Sequence, residues 1–301
     1  MGNKHSLAVF ISITAAIILW GFSFIWTNML LLIDVPVYTI VFFRIVLASI
    51  ILTVVSLSLK RLQKIAGKDI PWLLLLVLFE PFLYFIGETF GLKAVNSPTL
   101  GAIVIATIPI FSLIAGIWIY KEKISMLNIF GIAITLPGIL LVVLENGWGN
   151  GAHINGIILL FLAVFSATGY SVVVKRLAAK YNSYTIVTYQ NIVGMVYFLP
   201  LFLSYDMSSF SAERFFRAEI IVPIIALASL CSGLAFILFV NSIKILGVAR
   251  TNIFTSLIPA VSAYGAYMLG QEGMSVSKIA GIIIVITGVI IAQKEKRAIS
   301  S

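Results

Sequence analysis

The chain carries one spaced pattern twice: Ile108-Pro109, Glu122, Gly131 and Gly138, and then Ile258-Pro259, Glu272, Gly281 and Gly288. In both copies the steps from the Pro onward are 13, 9 and 7 residues, and the copies lie 150 residues apart. Tyr-Thr-Ile-Val occurs at residues 38–41 and again at 184–187. In a chain of 301 residues, such self-similarity predicts two structurally equivalent halves.

Composition indicates whether these halves fold in water or in a membrane. Apolar residues make up 61% of the chain and charged residues 10%, and the mean hydropathy is +1.12. A soluble domain has about 25% charged residues, so this composition favours a membrane protein. The net charge of +9 does not indicate nucleic-acid binding, because Lys and Arg lie in short clusters between apolar runs. Cys231 is the single cysteine, which excludes a disulfide framework and a CxxC site.

Ten apolar segments have the length of membrane-spanning helices, about 20 residues for about 30 Å of hydrocarbon. They are predicted helices 1 to 10: Leu7–Leu32, Val37–Leu59, Trp72–Phe90, Ser97–Ile119, Asn128–Leu144, Gly156–Ala178, Ser183–Leu203, Ile220–Ile243, Thr251–Leu269 and Lys278–Ala292. Predicted helix 1 has no clear cleavage site, so we interpret it as a retained helix. The runs lack the alternation of a membrane β-barrel, so the predicted fold class is all-α.

The distribution of basic residues predicts the orientation. Of the 20 Lys and Arg residues, 15 fall on one side of the predicted membrane and 4 on the other, with Arg44 inside a helix. By the positive-inside rule both termini are cytoplasmic. We therefore predict a first repeat at residues 1–145 (helices 1–5), an external linker at 146–155 and a second repeat at 156–301 (helices 6–10). Because five is odd, the repeats are inverted, as in many secondary transporters.

Arg44 is the one basic residue well inside an apolar run, so it is expected to face the bundle interior or a wet cavity. Glu80, Tyr84 and Glu88 follow at i, i+4 and i+8 on predicted helix 3. Either carboxylate suits an ion pair with Arg44, which would lock helix 2 to helix 3 or bind a charged group of a substrate. The other carboxylate is then free to carry a proton or bind an ammonium group. Pro81 is expected to free a backbone carbonyl one turn earlier.

Further polar and aromatic residues lie inside apolar runs of both halves. Each alone is explained by hydrogen bonds between helices; together they predict a lined cavity. Predicted helix 1 contributes Trp20, Ser23, Phe24, Thr27 and Asn28, and the second half contributes Tyr170, Tyr189, Gln190 and Asn241.

The repeated Pro and Glu residues are predicted to have structural or gating roles. Pro109 and Pro259 interrupt predicted helices 4 and 9, as hinges or as simple bends. Glu122 and Glu272 precede the next helix, whose N-terminal dipole favours a carboxylate; a substrate contact is the alternative. Sequence motifs for catalysis are missing: there is no HExxH, no phosphate-binding GxxxxGK[ST] and no Asp in an apolar run. We expect no enzyme, no catalytic residue, no cofactor and no metal site.

These motifs resemble an EamA-type transporter of the drug/metabolite transporter superfamily. The resemblance rests on Trp20-Gly21-Phe22-Ser23-Phe24, on Arg44 and on the duplicated Pro, Glu, Gly, Gly series, and it covers nearly the whole chain. It implies ten helices in the cytoplasmic (inner) membrane, with helices 1–4 and 6–9 around a central cavity and helices 5 and 10 supporting them. Members export amino acids or other small metabolites by alternating access. The chain departs from a perfect repeat at Gln190, which stands opposite Arg44.

The sequence therefore predicts a carrier that exports a small polar metabolite, most plausibly an amino acid. Arg44 would meet a carboxylate, Glu80 or Glu88 an amine or proton, and Trp20, Tyr84 and Tyr189 the side chain. The alternatives are a proton-coupled exporter of hydrophobic cations and, from a different class, a channel or a non-transporting membrane protein. The expected partners are a small-molecule substrate and the lipid bilayer, with the protein as a monomer or a homodimer.

Overall fold

The computed structural model describes residues 2–121, 125–145 and 151–293, which form helices and connections without any β-strand. By length and composition, seven described helices are able to span a membrane: Leu7–Leu32, Val37–Ser58, Gly67–Val95, Pro98–Ile119, Ile154–Ala178, Ser183–Ser209 and Ala218–Leu246. Two further apolar helices in the described part of the chain are shorter, Met126–Gly138 and Val276–Gly288. The all-α fold class is confirmed, whereas the count of ten membrane helices stays a prediction.

Several of the predicted helices are built from more than one piece. The π-helical segments are Leu78–Leu83, Phe202–Asp206 and Leu227–Ala235, and 3-10 turns occupy Gly67–Asp69, Met207–Ser209 and Ile253–Leu257. The α-helices of the described residues are α1 Gly2–Leu32, α2 Val37–Ser58, α3 Ile70–Val77, α4 Tyr84–Val95, α5 Pro98–Ile105, α6 Ile108–Tyr120, α7 Met126–Glu145, α8 Gly151–Ala178, α9 Ser183–Leu201, α10 Ala212–Phe215, α11 Ala218–Ala226, α12 Phe236–Leu246, α13 Val248–Asn252, α14 Ile258–Met268 and α15 Val276–Gln293.

The helix starts repeat at the interval of the sequence pattern. Helices α5, α6 and α7 begin 150 residues before α13, α14 and α15, respectively. Pro109 and Pro259 lie in the first turns of α6 and α14, where the missing N–H has no intrahelical acceptor in any case. The chain is therefore interrupted just before each of these prolines, within predicted helices 4 and 9.

A second pair of interruptions lies earlier in each half. Leu78–Leu83 joins α3 to α4, and Leu227–Ala235 joins α11 to α12. Glu80 has a non-helical backbone (φ −147°, ψ 118°) and directly precedes Pro81. π-helical turns are rare and occur frequently at functional sites. The first segment contains Glu80, and the second contains the buried Ser232.

The duplicated glycines bring α7 and α15 into close contact. A Cβ atom added to Gly138 would lie 2.6 Å from the carbonyl oxygen of Gly281, and one added to Gly288 would lie 2.6 Å from that of Gly131. All four glycines are buried. The two final helices of the repeats therefore cross backbone against backbone, and a side chain at these positions would separate them.

The repeated Tyr-Thr-Ile-Val stretches connect the two halves. Thr39, at the start of α2, donates from its backbone N (2.7 Å) and its Oγ1 (3.0 Å) to Asp206 Oδ2, in the segment after α9. Thr185, at the start of α9, accepts at Oγ1 from the backbone N of Gln63, in the segment after α2, at 3.0 Å. The start of α2 thus contacts the segment after α9, and the start of α9 contacts the segment after α2.

The glycine contact predicts an unequal response to the same substitution. Gly138→Ala should lower the free energy of unfolding by about 1–3 kcal/mol, because overpacking forces the backbones apart. Gly67→Ala is the matched control, since no atom lies within 4 Å of the added Cβ. Thermal unfolding of both variants in detergent measures the difference. Equal stability would contradict the close crossing of α7 and α15.

Candidate functional site

A small cavity lies between helices of the two halves. Its volume is about 30 Å³, which is room for about one or two water molecules. Residues of α1, α2, α4, α5, α6, α8, α12, α13 and α14 contribute to its wall. The lining residues are Trp20, Ser23, Phe24, Arg44, Glu80, Tyr84, Phe85, Glu88, Ile105, Ile108, Ala167, Tyr170, Ser171, Phe236, Phe239, Asn252, Thr255 and Ile258.

Most of the predicted binding residues meet at this cavity. The lining includes Trp20, Phe24, Arg44, Glu80, Tyr84, Glu88 and Tyr170. Tyr189, Gln190 and Asn241 are not part of its wall. Gln190 lies behind it and accepts a hydrogen bond from the Tyr170 hydroxyl at 3.0 Å. Tyr189 is half-buried against the core, and Asn241 is exposed.

Arg44 is 2% exposed and is held by residues of both halves. Its Nε donates to Ser232 Oγ at 2.7 Å, in the π-helical segment Leu227–Ala235. Its guanidinium carbon lies 4.1 Å from the ring centroid of Phe85, a cation–π distance. Ser232 is thus a functional candidate that the sequence analysis missed, because nothing in its local pattern separates it from other serines.

The expected ion pair between Arg44 and a carboxylate of predicted helix 3 is not formed. Between described residues, the ion pairs are Lys180 with Asp69 and Lys278 with Glu272. Instead, the ring of Phe85 in α4 occupies one face of the guanidinium, and Arg44 Nε donates to Ser232. Arg44 is therefore anchored to the second half by a neutral hydroxyl.

The two carboxylates of the cavity are buried with few partners. Glu80 is 5% exposed and Glu88 is 3% exposed. The Tyr84 hydroxyl donates to Glu88 Oε1 at a long 3.4 Å, and Glu88 Oε2 has no hydrogen-bond partner. In the described part of the chain, Glu80 has no side-chain hydrogen bond either. A buried carboxylate without partners is costly, so these oxygens are candidates for binding a ligand or a proton.

Helix α1 supplies an aromatic and a hydroxyl group to the wall. Trp20 donates from Nε1 to the carbonyl oxygen of Cys231 at 3.3 Å, and its ring lies 4.8 Å from that of Phe239. Ser23 lines the cavity, and its Oγ is buried without a hydrogen-bond partner. One turn further, Asn28 Nδ2 donates to Gln271 Oε1 at 2.9 Å.

Asn252 forms a buried polar cluster that the sequence analysis did not single out. Its Nδ2 donates to Ser112 Oγ at 2.8 Å and to Ser171 Oγ at 3.0 Å, which joins α13 to α6 and α8. Both Asn252 and Ser171 line the cavity. A usable signal was present: an amide in an apolar run whose counterpart 150 residues earlier is Ala102.

Glu272 caps a helix, but not the one that follows it in sequence. Ser97 Oγ donates to Glu272 Oε1 at 2.5 Å, and the Thr99 backbone N donates to the same oxygen at 3.3 Å. Lys278 Nζ completes the site at 3.1 Å from Oε2. The carboxylate thus lies at the N-terminus of α5, in the other half, where the helix dipole and a free N–H attract it. Ser275 caps α15 instead, and Glu122 lies outside the described residues.

The Asn252 cluster predicts that two asparagines in similar apolar runs, Asn252 and Asn241, contribute differently to stability. Asn252→Ala should destabilise the protein by about 1–3 kcal/mol, since two buried hydroxyls lose their donor. Asn241→Ala should leave stability unchanged, because Asn241 is exposed and has no hydrogen bond within the described residues. Thermal unfolding in detergent distinguishes the two variants. The opposite order of effects would contradict the assignment of Asn252.

Comparison with known proteins agrees with this architecture. The model of the EamA-like transporter family matches residues 7–144 and again residues 154–293. An uncharacterized transporter of Archaeoglobus fulgidus is 24% identical over 84% of this chain and 87% of that protein. The uncharacterized transporter YetK of Bacillus subtilis is 22% identical over 98% of this chain and 89% of that protein.

A solved crystal structure has the same fold. It superposes with a TM-score of 0.72 at 14% identity, over 92% of this chain and 97% of the other. At this identity the likeness concerns the fold alone. The two matches of one family model, one in each half, agree with the two-repeat interpretation of the sequence. The chain belongs to the EamA-like transporter family.

Proposed function

We propose that this transporter is a secondary carrier that exports a small polar metabolite, such as an amino acid, by alternating access. In this proposal ten membrane helices form two inverted repeats, residues 1–145 and 156–301, in the cytoplasmic membrane with both termini cytoplasmic. The observation that carries the proposal is the buried cavity between the halves, walled by Arg44, Glu80 and Glu88. Ionisable residues inside membrane helices are costly and mark substrate or ion pathways.

The size of the cavity supports a mechanism with closed and open states. About 30 Å³ is too small for an amino acid, so the helices around it have to separate before a substrate binds. The interruptions before Pro109 and Pro259 provide equivalent hinges in the two halves. In an inverted repeat, equivalent hinges open towards opposite sides of the membrane. The closed cavity is then an intermediate between the two open states.

A second candidate is a carrier that exports hydrophobic cations in exchange for protons. It is favoured by Glu88 Oε2, which is buried without a hydrogen-bond partner. A carboxylate in this position binds either a proton or a cation, and the two then compete for the same site. A channel is the candidate from a different class. Counterflow in proteoliposomes would exclude it, because counterflow requires a carrier that reorients with its substrate bound.

Arg44→Ala should reduce counterflow in proteoliposomes by roughly 10- to 150-fold, since hydrogen bonds to charged groups contribute about 1.5–3 kcal/mol. The substrate tested is the metabolite that accumulates in cells lacking the protein. Arg217→Ala serves as the control, because Arg217 is exposed. A monodisperse, cooperatively unfolding Arg44→Ala protein that transports at the wild-type rate would show that Arg44 only fastens the helices together.

A further inference from the structure

One face of α1 carries buried oxygen atoms that have no hydrogen-bond partner in the described part of the chain. They are Ser23 Oγ, Thr27 Oγ1 and Asn28 Oδ1, in residues that are 3%, 1% and 3% exposed. Ser23 and Phe24 line the cavity. Thr27 and Asn28 follow them at i+4, so they continue the same face of the helix by one turn. The unpartnered oxygens therefore form a line that leads from the cavity towards the end of α1.

The hydroxyls of Ser23 and Thr27 differ from others in the apolar helices. A serine or threonine inside a helix can donate to the carbonyl oxygen four residues earlier. Ser49, Thr168 and Ser242 do so at 2.8, 3.0 and 2.8 Å, respectively. Ser23 and Thr27 do not, and a buried hydroxyl without a partner is destabilising. A polar molecule that moves along α1 would supply the missing hydrogen bonds.

The far end of this line is covered by a side chain of the second half. Asn28 Nδ2 donates to Gln271 Oε1 at 2.9 Å, and Gln271 Nε2 donates to the Ile25 carbonyl oxygen at 3.4 Å. Gln271 belongs to residues 269–275, the α14–α15 connection. Because Asn28 is buried and Gln271 is half-buried, the Gln271 amide lies between the line and the surface.

The next residue of the α14–α15 connection holds α5. Glu272 accepts hydrogen bonds from Ser97 Oγ, from the Thr99 backbone N and from Thr99 Oγ1, and Lys278 Nζ lies 3.1 Å from its Oε2. Helices α1 and α5 both belong to the first half, whereas the connection belongs to the second. Two consecutive residues of one connection thus fasten two helices of the other half.

The contact between α1 and α14 consists of closely packed small and apolar residues. A Cβ atom added to Gly21 would lie 2.5 Å from Val261 Cβ, and one added to Gly265 would lie 2.3 Å from Ile25 Cδ1. Small residues let membrane helices approach closely. Helix α14 begins at the interruption before Pro259. A movement of α14 about this interruption would carry the α14–α15 connection away from α1 and α5.

We propose that the substrate leaves the cavity along the face of α1 that carries Ser23, Thr27 and Asn28, and that the α14–α15 connection is the gate at the end of this path. The gate is closed when Gln271 binds Asn28 and Glu272 binds the start of α5. It opens when these hydrogen bonds break and the connection moves away with α14. By the distribution of basic residues, this end of the path is the outer one. The inference rests on the proposed transport function and specifies the exit path and the gate of the same site.

Accessibility of Thr27 tests the gate, because Thr27 is 1% exposed while the gate is closed. In a Cys231→Ser background, which removes the single native cysteine, the Thr27→Cys variant is labelled on intact cells with a membrane-impermeant maleimide. Adding Glu272→Gln should raise the labelling rate about 10- to 150-fold, because weaker hydrogen bonds in the closed state favour the open one. Gln271→Ala should raise the rate about 2- to 10-fold, because its hydrogen bonds are between neutral groups.

Two controls separate opening of the gate from general loosening of the protein. Ala16 lies one turn before Trp20 on the same face of α1, away from the gate, and is 0% exposed. Ala16→Cys in the same background should not be labelled faster when Glu272→Gln is added. Glu213→Gln should leave the labelling rate of Thr27→Cys unchanged, because Glu213 is exposed.

Three outcomes overturn the gate. The first is an unchanged labelling rate of Thr27→Cys with both Glu272→Gln and Gln271→Ala. The second is an equal acceleration of labelling at Ala16→Cys and Thr27→Cys, which indicates that Glu272 only stabilises the fold. The third is acceleration in inverted membrane vesicles without acceleration on intact cells, because the path then opens to the cytoplasmic side.

Thr27→Val tests the path itself. Valine has the shape of threonine without the hydroxyl, and the Thr27 hydroxyl has no partner among the described residues, so the unfolding temperature should not fall. Counterflow of the metabolite that accumulates in cells lacking the protein should slow about 2- to 10-fold, because the substrate loses a hydrogen bond on its way out. Thr287→Val is the matched control, since Thr287 is exposed. Counterflow at the wild-type rate in the Thr27→Val protein contradicts the path along α1.

Labelling separates this inference from the transport proposal, because labelling needs no substrate. Labelling of Thr27→Cys that Glu272→Gln accelerates, in a protein without counterflow, refutes transport and leaves the gate standing. Counterflow in a protein whose labelling responds to neither gate variant refutes the gate and leaves transport standing.

Discussion

A helix that is interrupted inside a membrane has to form hydrogen bonds to its freed backbone N–H and C=O groups without bulk water. This structure depends on the side chains that provide those hydrogen bonds. The interruption before α6 is supported by Thr107, whose Oγ1 donates to the Val104 carbonyl at 2.7 Å. In the second half, the Thr255 Oγ1 donates to the Asn252 carbonyl at the same distance. The N-terminus of α5 is satisfied by Glu272, from the opposite repeat. Interrupted backbone is thus found where buried side chains compensate it.

The same requirement makes the two halves depend on each other. Glu272 of the second half completes α5 of the first, and Ser232 of the second half holds Arg44 of the first. Glycines in both α7 and α15 let the backbones of these two final helices come into contact. Because these contacts join the repeats, any relative movement of the halves has to exchange some of them. The partly unpaired carboxylates Glu80 and Glu88 line the cavity between the halves, so such a movement would change their surroundings.

The partners of the site residues were harder to predict than the residues themselves. Arg44 was expected to pair with Glu80 or Glu88, yet it binds Ser232, which is 188 residues away in sequence. Asn241 was expected at the cavity, whereas Asn252 lies there. The π-helical segment Leu227–Ala235 precedes Asn241, and each inserted residue turns the following helix by about 100° relative to an uninterrupted α-helix. Within α12 itself, Phe236, Phe239 and Ile243 lie on one buried face, and Asn241 falls outside it. What α-helical periodicity cannot give is the rotation of that face relative to the helix before the π-helical segment.

The sequence by itself determined that the chain folds in a membrane, that it is helical, that it has two similar halves and which family it belongs to. These follow from apolar runs and from an interval of 150 residues, and hydrocarbon imposes such patterns locally, helix by helix. Only the tertiary structure decided which helix Glu272 caps, which hydroxyl holds Arg44 and which polar atoms are left unpaired in the cavity. Those outcomes depend on how helices cross and turn at their interruptions. Crossing and rotation are set by packing between distant residues, so no local pattern encodes them.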